Sequence, residues 1–65
     1  MEKIRTYVIG ETEYELYRAA SGDYCVTVMK YGEENEDYNL GTLSMAYAFI
    51  LAYAAGPDGV IEEED

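Results

Sequence analysis

From Leu43 to Ala55 the chain carries no charged residue, and the run closes on Gly56-Pro57. A glycine in cap position followed by a residue that cannot continue a helix is a stop signal, the most tightly specified boundary in the chain. Thr42 is the expected N-cap, with Ser44 the alternative, which predicts a helix over about 43–55. Its longest apolar stretch, Met45 to Ala55, has eleven residues. A membrane span needs roughly 17 to 25, so this is read as a core helix. On a wheel of ~100° per residue, Leu43, Tyr47, Ile50, Leu51 and Ala54 cluster on one side, and Met45, Ala46, Phe49 and Tyr53 widen the stripe to about 240°. Facing one sheet takes about 100°. Part of the helix, carried by Met45, Ala48, Phe49 and Ala52, is therefore expected to meet a partner or a second copy of the chain.

The residues before the helix alternate as strands do. Ile4 to Ile9 is β-branched and aromatic, and Gly10-Glu11 reads as a two-residue hairpin turn with glycine first, returning the chain as a strand over about 12–19. Pairing Ile9 with Thr12 sets Tyr7 opposite Tyr14 and Arg5 opposite Leu16, while Glu13, Glu15 and Tyr17 point to the other face. A three-residue loop, Ala20-Ser21-Gly22, leads into a third strand over 24–31, whose Tyr24, Val26 and Val28 lie beside Leu16 and Tyr14. Gly32 to Asp37 reads as an acidic loop, and Tyr38-Asn39-Leu40 as a candidate short fourth strand. After the helix, Asp58-Gly59 reads as a turn, Val60-Ile61 as a candidate edge strand and residues 62–65 as an acidic tail. The prediction is one α+β domain over 1–65: a three- or four-stranded antiparallel meander with one helix packed on it.

Sixty-five residues are close to the lower limit for a core that holds without metals or disulfides. The composition is 49% hydrophobic with a single proline, too apolar for a disordered chain. The single cysteine, Cys25, cannot pair internally, which points to the reducing cytosol, and in a strand it is expected to pack as a small hydrophobe. Met1-Glu2-Lys3-Ile4-Arg5 runs straight into the first strand, so no targeting peptide is expected.

Histidine is absent, which removes the commonest general base and the commonest zinc ligand. The six glycines are dispersed as turn and cap residues and form no phosphate loop. Asp37, Asn39 and Gly41 miss the spacing of a calcium loop and read as a solvated turn. No catalytic site, metal or cofactor is expected.

Charge is the informative feature. Fourteen acidic residues against four basic ones give a net charge of -10, which repels nucleic acid and anionic membranes and attracts basic surfaces. Glu11, Glu13 and Glu15 alternate along one strand at about 6.8 Å, against a phosphate advance of about 3.4 Å per strand of DNA. Glu33, Glu34, Glu36 and Asp37 are expected on one loop. Tyr17, Tyr31 and Tyr38 are expected to emerge among these carboxylates as amphipathic anchors, with ordinary cross-strand packing the competing role for each. Plain solvation of acidic faces is the competing account of the charge.

In size, acidity, lack of histidine and meander-plus-helix pattern, the chain resembles the small phage-encoded anti-CRISPR and anti-defence inhibitors. The resemblance implies a nucleic-acid mimic in the host cytoplasm that occupies the basic groove of a nucleic-acid-binding protein, such as a CRISPR effector. Glu11, Glu13, Glu15, Tyr17, Tyr31, Glu33, Glu34, Glu36 and Asp37 would then bind the partner. The alternative is an intracellular, self-associating adaptor acting through the helix as a homodimer.

Overall fold

The computed structural model describes the backbone of residues 1–61 and the side chains of residues 1–56. The acidic tail expected at 62–65 lies outside the described residues.

Four strands, β1 (Glu2–Ile9), β2 (Thr12–Arg18), β3 (Tyr24–Lys30) and β4 (Glu36–Gly41), form an antiparallel sheet in the order β1-β2-β3-β4, followed by helix α1 (Leu43–Ile61). Gly10 fixes the first hairpin. Its φ of 64°, with no positive φ at Glu11, fits a two-residue turn that opens on glycine and matches the twist of the flanking strands. Ile9 pairs with Thr12, Tyr7 with Tyr14 and Arg5 with Leu16, the expected register. The next connection closes through Ala19 N–H to Asp23 O at 2.8 Å, leaving residues 20–22 as the loop. A turn from Lys30 to Glu33 (3.1 Å) leads toward β4.

One bulge in β1 decides where the cations go. The register shifts between Lys3 and Arg5, so Lys3 pairs with Tyr17 and Glu2 with Arg18. Unbroken alternation would set Lys3 directly opposite Arg18, two like charges across a ladder. With Ile4 as the extra residue, Glu2 meets Arg18 at 3.2 Å and Lys3 crosses to the other face, 3.5 Å from Glu15.

The core lies between the sheet and α1: Tyr14 and Leu16 from β2, Val26 and Val28 from β3, Ala46 and Ile50 from the helix. Tyr7, Tyr24, Tyr38, Leu40, Phe49, Tyr53 and Ala54 pack around it. The small Ala46 side chain lets the helix approach the sheet closely. Thr42 is the N-cap, its Oγ1 accepting the Met45 N–H at 3.2 Å and its carbonyl accepting the Ala46 N–H at 3.0 Å.

Several expectations are corrected. β1 begins at Glu2, two residues early; β2 stops at Arg18 and β3 at Lys30. β4 starts at Glu36, so Glu36, Asp37, Asn39 and Gly41 belong to a strand rather than to a loop or turn. The helix presents Ala46, Phe49, Ile50 and Tyr53 to the sheet, leaving Leu51 at 68% exposure. Its buried arc is thus rotated by about 90° on a wheel of ~100° per residue from the one expected. The helix does break at Gly56, with φ 71° and ψ 177°, in a region of backbone space essentially confined to glycine. It resumes beyond, because Pro57 sits where a missing N–H and a fixed φ suit a first helical position. Val60 and Ile61 are accordingly helical and not an edge strand.

Candidate acidic face of the sheet

Only one side of the sheet carries the helix, and the meander's alternation sorts the other. Cross-strand partners share a face, so the open face consists of rows. Lys3, Tyr17, Cys25 and Asn39 form one; Thr6, Glu15, Thr27 and Asp37 the next; Val8, Glu13 and Met29 the third. Three carboxylates from two non-adjacent strands therefore share one surface. Glu13 and Glu15 stand about 6.8 Å apart along β2, and Glu15 and Asp37 flank Thr27 across two strand spacings, about 9.6 Å. Among the described residues Lys3 is the one cation on this face.

Glu15 and Asp37 are each held by neighbouring donors. The Tyr17 hydroxyl donates to Glu15 Oε1, with Lys3 Nζ 3.5 Å from Oε2. That hydroxyl, then the lysine charge, holds the Glu15 carboxyl below its usual range, and the carboxylate raises the Tyr17 phenol. Thr27 Oγ1 donates to Asp37 Oδ1 at 2.6 Å, and Asn39 Nδ2 to Asp23 Oδ2 at 3.2 Å. Between Tyr17 and Asp37 lies a shallow depression of about 350 Å³, lined by Cys25, Thr27 and Asn39, with Met1 beside it. Cys25 is thus half-buried on the open face rather than packed in the core, since its alternation is that of Tyr17 and not of Val26. This surface is anionic, ordered by hydrogen bonds and carries a tyrosine, a design suited to meeting cations.

No family model, no curated protein and no solved structure matches this chain. The chemistry of its surfaces therefore carries the functional argument.

The partner-binding residues singled out from the sequence divide among four places. Glu13, Glu15, Tyr17 and Asp37 come together on the open face. Glu11 lies in the first hairpin turn, outside the β2 ladder, and Glu33 and Glu34 are exposed between β3 and β4. Tyr31 projects from that same turn at 98% exposure. Glu36 departs from the group. It faces the helix side, where its Oε1 accepts the hydroxyls of Tyr38 (2.8 Å) and Tyr53 (2.9 Å). Those two donors hold its carboxyl below the usual range. Tyr38 is correspondingly a packing residue, its ring centroid 4.7 Å from that of Phe49. Phe49 is occupied in this cluster, so of the four helix residues expected to associate, Met45, Ala48 and Ala52 remain exposed. Thr27, Asn39 and Asp23 escaped sequence reasoning as members of the acidic face. Thr27 and Asn39 follow from the alternation of β3 and β4 once β4 is seen to start at Glu36.

Proposed function

We propose that this chain is a non-enzymatic binding protein whose acidic open sheet face occupies a basic, nucleic-acid-binding surface on another protein and blocks it. The observation that carries this reading is the convergence of Glu13, Glu15 and Asp37 with Tyr17 on one helix-free face. Glu15 and Asp37, held in place by neighbouring hydroxyls, lose little freedom on meeting lysines and arginines, and a half-buried tyrosine supplies an anchor between them. Direct contact with nucleic acid or an anionic membrane is disfavoured by the net charge of -10. Among the described residues no helix is long and apolar enough to cross a membrane, and the site of action proposed is the cytoplasm. The resemblance to phage-encoded anti-CRISPR inhibitors makes guide-loaded CRISPR effectors the first partners to try.

The test is capture from lysate at low and at high salt by the wild type, by an open-face variant (Glu13→Gln, Glu15→Gln, Asp37→Asn) and by a turn variant (Glu33→Gln, Glu34→Gln). The reading expects a nucleic-acid-binding protein that is lost at high salt and with the open-face variant. Salt-resistant capture that ignores both variants would sink it.

A second reading, a self-associating adaptor acting through α1, has one observation in its favour. Between Leu43 and Ala55 the outward arc of the helix, with Met45 at 54% and Leu51 at 68% exposure, carries no charge. Ala52→Arg would abolish that function and leave acidic-face binding intact.

A further inference from the structure

The least covered element of the fold is β1. Of its eight residues only Tyr7 is even half-buried, whereas in β2 only Arg18 is exposed. β1 is also a sheet edge. Because Ile9 and Thr12 flank a two-residue turn, they form a hydrogen-bonded pair, and alternation leaves the N–H and C=O groups of Thr6 and Val8 directed away from β2. Such an edge is a template for another strand, and proteins usually blunt it with charge, proline or a bulge along its length. The opposite edge, β4, is blunted in this way: it is shorter, begins Glu36-Asp37 and has a register shift near its end. On β1 the bulge is confined to the start, and Ile4, Val8 and Ile9 are 43%, 69% and 39% exposed.

Beside this edge runs an exposed apolar flank of the helix. Leu43, Tyr47 and Leu51 recur every fourth residue on the flank of α1 toward β1, as the edge-on contact of the Tyr7 and Tyr47 rings at 6.3 Å establishes. They are 37%, 42% and 68% exposed. Tyr7 is the sheet residue that meets this flank.

We infer that the occupant of the β1 edge is a second copy of the chain, paired antiparallel about a twofold axis at Thr6. The strand is self-complementary in this register, as a twofold interface requires. Thr6 faces Thr6 of the second copy, Ile4 faces Val8, and Arg5 faces Tyr7. The last pair repeats between copies a contact that exists within one, where the Arg5 guanidinium lies 5.9 Å from the Tyr7 ring centroid. An axis at Arg5 would instead oppose two arginines. Charge also favours this seam. Two chains of net charge -10 repel each other, and β1, with Lys3 and Arg5 against Glu2, is a strand with an excess of cations. A twofold axis normal to the sheet keeps both open faces on the same side. The product is one eight-stranded sheet with a continuous acidic surface on one side and two helices on the other. The inference stands independently of the acidic-face reading.

Sedimentation of the full chain with and without Val8→Lys and Thr6→Pro tests it, alongside amide hydrogen exchange of the wild type. Both substitutions fall on groups directed to solvent in the single chain, so circular dichroism should be unchanged. At about 100 µM, a hundredfold above a micromolar dissociation constant, the wild type is expected at twice the 7.3 kDa chain mass. Both variants are expected at the single mass, Ala52→Arg as a dimer, and the Thr6 and Val8 amides as protected. Added salt should tighten the dimer by screening the net charge, the reverse of its effect on acidic-face binding. A monomeric wild type, a dimer that survives both variants, a dimer lost only with Ala52→Arg, or unprotected Thr6 and Val8 amides would each overturn it. Exchange alone decides if a variant fails to fold.

Discussion

Glu36 shows how a single carboxylate can be structural in a protein that otherwise spends its acids on the surface. Two tyrosine hydroxyls, from β4 and from α1, converge on one of its oxygens and so tie the sheet edge to the helix. Its folded pKa lies below the ordinary value of 4.5, so it contributes stability above that pH and loses it as pH falls through the lowered value. Tyr38 is shifted the other way, raised chiefly by Glu36, so its contribution is complete below about pH 10 and is lost as pH rises through the raised value. Thermal unfolding of Glu36→Leu is expected at a lower midpoint than the wild type near neutrality, with a shallower decline between pH 5 and pH 3, as both tyrosines lose their acceptor. An unchanged acid limb would contradict this account. Alternation alone placed Glu13, Glu15 and Tyr17 correctly, because the glycine-first turn fixes β2. It failed for Glu36 and Asp37, whose acidic neighbours make the start of an edge strand look like a loop.

At the level of elements, turn chemistry made the meander legible, and the lack of polar residues made the helix illegible in one respect. A helix with no charge between Leu43 and Ala55 has no polar side to fix its rotation, so the wheel gives the width of the apolar stripe but not which part faces the sheet. The structure resolves this through Ala46 and Ile50, the two buried helix residues among those described. The N-cap and the break at Gly56 were readable, since caps depend on local geometry, whereas the helix that resumes at Pro57 was not. Thr42→Ala should cost about 1 kcal/mol, measured by urea denaturation. Leu16→Ala, at a fully buried β2 position, should cost about 2–5 kcal/mol, enough to leave so small a domain largely unfolded at 37 °C. A Leu16→Ala protein with an unaltered unfolding midpoint would mean that the core lies elsewhere.

For the molecule as a whole, the sheet acts as a divider. Its helix side holds the aromatic core and Glu36, and its open side gathers Glu13, Glu15 and Asp37. That separation could not be read from composition, since the acids lie in segments far apart in sequence and meet only through the register of β2, β3 and β4. Neutralising the three open-face carboxylates should weaken binding to a basic partner by about tenfold to a hundredfold, at the scale of exposed ion pairs. Glu33→Gln with Glu34→Gln, in the turn between β3 and β4, should weaken it less.

The most direct test is competition. The protein is immobilised, its captured partner is challenged with duplex DNA or with RNA at fixed salt, and release is compared for the wild type and the variant carrying Glu13→Gln, Glu15→Gln and Asp37→Asn. Dose-dependent release by nucleic acid, with poorer capture by the variant, is the predicted result. Capture that is indifferent both to nucleic acid and to the loss of these carboxylates would contradict the claim that the open face takes the place of a phosphate backbone.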